Sequence, residues 1–142
     1  MLSEKALEKT EEILEEIKKK SSKEKTSIIV EGKKDSEALR ELGVKGPIHE
    51  ISSNQKTALN FLESLRNYNE IIVLTDFDQE GDKLAQFSKK HLPKLGVEPE
   101  MELRTKLKKY LRKGVKDIEG LSEFIRREKI ESKDNPTTNQ NH

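Results

Sequence analysis

Two short β-branched runs constrain this chain more than any other feature. They are Ser27-Ile28-Ile29-Val30 and Glu70-Ile71-Ile72-Val73-Leu74-Thr75, and each leads directly into carboxylates. Continuous apolar runs of this length read as parallel strands covered on both faces. Segments of helical period lie between and after them. Residues 34–42 are closed by Gly43, residues 55–66 place Ala58, Leu59, Leu62 and Leu65 on one face, and residues 80–92 end near Pro93 and Gly96. Residues 47–51 read as a second strand whose start is set by Pro47, and residues 98–104 as an edge strand alternating Met101 and Leu103 with charges. Strands alternating with helices predict an α/β sandwich with a four-stranded, mostly parallel central sheet flanked by helices.

The ends of the chain read differently. Residues 1–25 form a charged amphipathic helix with Leu2, Ala6, Ile13 and Ile17 on a narrow stripe, acids early and lysines late. This extra N-terminal helix packs on the domain or serves as a homodimer contact, and Ser21-Ser22 ends it. Residues 26–130 form the main domain, with helix in two pieces divided near Gly114 and Gly120. Residues 131–142 carry hardly an apolar side chain and are expected to be disordered.

Ligands of such sheets sit beyond the carboxyl ends of the strands. Glu31-Gly32-Lys33-Lys34-Asp35 follows the first run, and Asp76-Phe77-Asp78-Gln79-Glu80-Gly81-Asp82 follows the other. Four carboxylates within seven residues repel one another unless a cation lies between them. An all-oxygen set selects Mg²⁺, with Mn²⁺ as substitute. An EF-hand is excluded because its twelfth position, counted from Asp76, is Phe87. The bland alternative is a solvated acidic helix start, which Glu80 and Asp82 would suit. The chain has no Cys, which removes zinc ribbons, iron–sulfur sites and thiol nucleophiles. With 28 Lys and Arg against 27 Asp and Glu, a uniformly basic nucleic-acid coat is also excluded.

Glu31 in IIVEGKKD, and Asp76 and Asp78 in IIVLTDFDQEGD, separated by about 45 residues, resemble the Toprim signature. That domain is shared by type IA and II topoisomerases, bacterial-type primases, old-family nucleases, recombination proteins and the 5S ribosomal RNA maturase. The resemblance covers about residues 26–104. EGKKDSEAL looks like the maturase and primase versions, and DFDQEGD like the topoisomerase version, with Asp82 where Glu is usual. It implies a Toprim, Rossmann-like fold. It implies that Glu31 is a general acid/base or completes the metal shell, and that Asp76 and Asp78 hold Mg²⁺. Glu80 and Asp82 are weaker ligand candidates.

No second catalytic module is expected beside these residues. Tyr68 and Tyr110 are the only tyrosines, there is no cysteine for a primase zinc module, and there is no Walker loop for a nuclease ATPase. A stand-alone Toprim protein remains: a Mg²⁺-dependent RNA-processing nuclease or accessory subunit, or else a nucleic-acid or ribonucleoprotein binding module that keeps the metal site. RNA is favoured over DNA as partner, within an RNA-processing complex or as a homodimer.

The stretch from Arg104 to Lys116 holds seven basic residues and no acid among thirteen positions. Arg104, Lys106, Lys108, Lys109, Arg112 and Lys113 are expected to follow a phosphate backbone, the alternative being a solvated basic helix, and Lys33 and Lys34 are either further phosphate contacts or a solvated helix start. Asp117 is read as a helix cap that could return to the site, Ser52-Ser53-Asn54 as a cap for the next helix, and His49 and His91 as surface or core residues. No apolar run is long enough for a membrane span and the first residues do not read as a signal peptide, so a cytoplasmic location is expected.

Overall fold

The computed structural model describes residues 4–52, 56–111 and 115–133. The elements in chain order are α1 (Glu4–Ser21), β1 (Thr26–Val30), α2 (Lys33–Glu41), β2 (Ile48–Glu50), α3 (Ala58–Glu63), β3 (Glu70–Val73), α4 (Gln79–His91), β4 (Glu98–Glu100), α5 (Glu102–Tyr110) and α6 (Ile118–Lys133). The strands form one parallel sheet in the order β2-β1-β3-β4, with Ile28 opposite Ile48 on one side and Ile72 on the other. This is the four-stranded parallel α/β arrangement expected from the sequence.

Strand alternation divides the core in two. Ile28, Val30, Ile72 and Leu74 face a layer built by α1, α2, α5 and α6. Ile29, Ile71 and Val73 face α3 and α4. The chain moves one way from β1 to β2 over the first face and the other way from β3 to β4 over the second, as a uniform crossover hand demands. The strand order therefore reverses between β1 and β3, and a crevice opens at their carboxyl ends.

The N-terminal helix packs on the domain through Ile13, Leu14 and Ile17. Ile17 is fully buried, which contributes roughly 1.5–3 kcal/mol. Gly43 closes α2 with φ of 98°, a left-handed position that suits glycine.

Several boundaries differ from the sequence expectation. The edge strand stops at Glu100, because its buried carboxylate accepts from the Leu103 N–H at 3.1 Å and starts α5. Met101 and Leu103 thus belong to a helix entry, where Leu103 and Leu107 bury one turn apart. α3 is only six residues long, capped by Thr57, and Phe61 takes the core position while Leu59 stays 42% exposed. Gly120 divides nothing, since it lies in the first turn of α6. That helix continues to Lys133, into the segment expected to be disordered, and residues 134–142 lie outside the described residues. No described helix is long and apolar enough to cross a membrane.

Candidate metal centre

β1 and β3 are adjacent and in register, Ile29 opposite Val73, so the residues that follow them hang over the same rim. Ligand oxygens of Glu31, Asp76 and Asp78 lie within 4.8 Å of one another. Asp35, Asp76 and Asp117 form a second such group, so Asp76 is common to both.

The electrostatics of this basin are unfavourable as they stand. Glu31 Oε1 and Asp76 Oδ1 are buried, and neither has a hydrogen-bond partner among the described residues. Burial pushes the Asp76 carboxyl up to about 8, reinforced by Glu31, then Asp117 and Asp78. Burial and the negative charge of Asp76 push Asp35 up to about 6, against the lowering effect of the N–H groups of Glu119 and Gly32. A divalent cation would satisfy the orphaned oxygens and reverse this repulsion. The donor set, oxygen only and without His or Cys, fits Mg²⁺ or Mn²⁺.

Local structure explains how the repulsion is tolerated. Asp78 Oδ1 caps α4 by accepting from the Gly81 N–H at 2.8 Å, and Asp117 Oδ1 caps α6 by accepting from the Gly120 N–H at 2.8 Å. Asp35 accepts from the N–H of Gly32 and from that of Glu119, both at 3.3 Å, and so joins the starts of α2 and α6. Three helix N-termini therefore direct partial positive charge at the carboxylates. Gly81 is required here, because a Cβ at that position would overlap the carbonyl oxygen of Asp76. The Thr75 hydroxyl donates to the Gly81 carbonyl at 2.7 Å, and the Phe77 N–H donates to the Lys116 carbonyl at 2.6 Å. The Glu31 carbonyl accepts from both the N–H and the hydroxyl of Ser52.

The other acids of the loop lie elsewhere. Glu80 is exposed and pairs with Lys83 at 3.3 Å. Asp82 receives Lys108 on both oxygens, at 2.8 and 2.7 Å, and Arg104 at 2.7 Å. Those hydrogen bonds, Lys108 first, hold its carboxyl below the usual range. Neither acid belongs to the two carboxylate groups.

The basic stretch divides in the same way. The Arg104 side chain is only 8% exposed and points inward, so it is no surface contact for nucleic acid. Lys108 is occupied by Asp82, while Lys106 and Lys109 are exposed and line a cleft of about 300 Å³ with Lys9, Glu12 and Glu16 of α1. Lys33 and Lys34 are exposed at the rim, Lys34 at 3.9 Å from Glu119. Arg112, Lys113, Ser53 and Asn54 lie outside the described residues. His49 is half-buried with Nε2 3.0 Å from the Tyr68 hydroxyl, and His91 stacks beside Phe87.

Sequence reasoning assigned no ligand role to Asp35 and gave Asp117 only a capping role with a contingent one. The available signal for Asp35 was its place in the turn after Glu31, where a helix start returns it to the same rim.

Comparison with known proteins bears on the fold and on kinship. A model described as the Toprim domain matches residues 26–120. A UPF0292 protein of Methanosarcina barkeri is 38% identical over 122 residues, covering 85% of this chain and 83% of that protein. A UPF0292 protein of Methanocaldococcus jannaschii is 34% identical, covering 83% of this chain and 91% of that protein. A solved structure of an Aquifex aeolicus protein superposes with a TM-score of 0.64 at 28% identity, over 76% of this chain and 94% of that one.

Proposed function

Because the chain belongs to the Toprim domain family, within which it resembles the UPF0292 proteins, we propose that it is a Mg²⁺-dependent phosphodiesterase acting on nucleic acid, with structured RNA as the favoured substrate. The observation that carries this reading is the pair of buried, unpartnered oxygens on Glu31 and Asp76 at the strand-order reversal. Unsatisfied buried oxygens cost the fold stability, on the order of 1–3 kcal/mol each, unless something else binds them.

Glu31, Asp76 and Asp78 would hold one Mg²⁺, and Asp35 and Asp117 with Asp76 offer a place for a second. When bound, the ion supplies positive charge to the anionic oxygens of a phosphodiester. The chain supplies the remainder. Glu31 is well placed to accept or return a proton at Oε1, the oxygen without a partner. Lys33 and Lys34, exposed beside Glu31 at the start of α2, attract the phosphate backbone to the rim. Lys116, whose carbonyl accepts from the Phe77 N–H, is a further exposed cation.

The test uses labelled structured RNA, single-stranded RNA and DNA, incubated with Mg²⁺, Mn²⁺ or EDTA. Wild-type protein should cleave an RNA substrate only with metal, and Asp78→Asn should lose that cleavage. Absence of metal-dependent cleavage on every substrate, together with tight RNA binding, would replace the enzyme by a binding module.

A further inference from the structure

The ladder between β1 and β3 ends with the Leu74 N–H donating to the Ile29 carbonyl at 2.8 Å. Beyond it, among the described residues, no neighbouring strand donates to the carbonyls of Thr75 and Asp76. A single side chain does so instead. Arg104 Nε donates to the Thr75 carbonyl at 3.0 Å, and Nη2 donates to the Asp76 carbonyl and to Asp82 Oδ1. The guanidinium also lies 5.9 Å from the centre of the Phe77 ring. It reaches this position from the first turn of α5, an element with no ligand in the basin.

Guanidinium cannot discharge itself by losing a proton, so a buried one persists only where its donors are matched. Here two of its three acceptors are main-chain oxygens of the residues that carry and precede the shared ligand. We infer that Arg104 is the positioning residue of this site: it fixes the main chain of Thr75 and Asp76, and so aims the Asp76 carboxylate at Glu31, Asp78 and Asp117. Asp82 completes the device. It neutralises the guanidinium and is itself clamped by Lys108, which gives this acid a role outside metal binding. The planar fork matters as well as the charge, since one ammonium cannot reproduce two donors held in a plane. The inference rests on the reading that Asp76 holds the cation.

Arg104→Gln and Arg104→Lys, with Leu107→Ala as a control buried in the same helix, separate positioning from bulk stability. Three quantities are measured: Mn²⁺ affinity by calorimetry, melting temperature, and amide exchange at Phe77, Gly81 and Ile72. Weakening of support behind a metal ligand typically costs 10–100-fold in affinity, so about that loss is expected for Arg104→Gln. Faster exchange at Phe77 and Gly81 should accompany it, with Ile72 unchanged. Arg104→Lys should recover only part of the loss. Leu107→Ala should lower the melting temperature and leave Mn²⁺ affinity intact. If the Arg104 variants lower the melting temperature and leave Mn²⁺ affinity intact, as expected of the control, Arg104 is merely structural. If Arg104→Gln fails to fold, Arg104→Lys decides by the same readouts. If the wild type binds no Mn²⁺, the cation reading itself fails. Exchange at Phe77 and Gly81 then decides alone, and unchanged rates in the variants overturn the inference.

Discussion

One stretch of seven residues, running from beyond the end of β3 into the first turn of α4, holds two pairs of acids that behave in opposite ways. Asp76 and Asp78 turn into the basin, where Asp76 Oδ1 is buried without a partner. Glu80 and Asp82, a few residues on, turn outward to Lys83, Arg104 and Lys108. All four follow the same strand and are chemically near-identical, so residue type does not separate them. What separates them is whether a protein cation reaches each one. A fold that could supply Lys108 to Asp82 supplies nothing comparable to Asp76, which is how a site differs from a surface.

The strongest way to break this contrast is Asp76→Asn. It should abolish Mn²⁺ binding, at least about 100-fold by the ligand logic, and yet raise the melting temperature of the metal-free protein at pH 8. A metal-free variant that melts lower than wild type would show that the Asp76 charge is not the liability described here. Gly81→Ala attacks the same residue from behind. Its methyl group overlaps the Asp76 carbonyl, and overpacking of this kind costs roughly 1–3 kcal/mol, or more where backbone must move. Chemical denaturation should show that loss, with metal affinity falling as well.

Acidity sharpens the contrast further. The Asp76 carboxyl is raised from 3.8 in the unfolded reference to about 8 in the fold, so the folded state binds the extra proton between those values. The contribution of Asp76 to the stability of the metal-free protein should therefore be greatest below the lower value and be lost as pH rises through 8. Asp82 has the opposite sign, since its carboxyl is lowered and its contribution disappears only in acid. Melting curves in EDTA across this range should slope downward, and millimolar Mg²⁺ should flatten them. The smallest effects belong to the outward pair. Asp82→Asn should cost roughly 1 kcal/mol as a partly exposed ion pair, and Glu80→Gln under about 0.5 kcal/mol with cleavage unaltered. A large loss of metal binding in Glu80→Gln would erase the distinction between the two pairs.

The sheet and the meeting of Glu31, Asp76 and Asp78 were legible because these acids stand within a few residues of the ends of two apolar runs. Strand period delivers such residues to the rim whatever the intervening chain does. Asp35 and Asp117 were harder to place because their positions depend on how α2 and α6 dock, and the contact between those helices is long-range. Arg104 was misread for a related reason. It borders Leu103 and Leu107 on the wheel of α5, and a flanking position can turn either to solvent or beneath the sheet end. Counting lysines and arginines along a segment cannot choose between those outcomes, whereas the open carbonyls of Thr75 and Asp76 do.

The register between β1 and β3 also has a consequence for the order of events during synthesis. Ile28 must wait for Ile72 to emerge before the central pair can close, and α6, which carries the partner of Asp35, emerges later still. The nascent polypeptide thus exposes Glu31 long before Asp76 and Asp78, the other two acids of its group, have been made. The first carboxylate group is complete only once Asp78 has left the ribosome, and the second only once Asp117 has, so the early nascent chain carries neither.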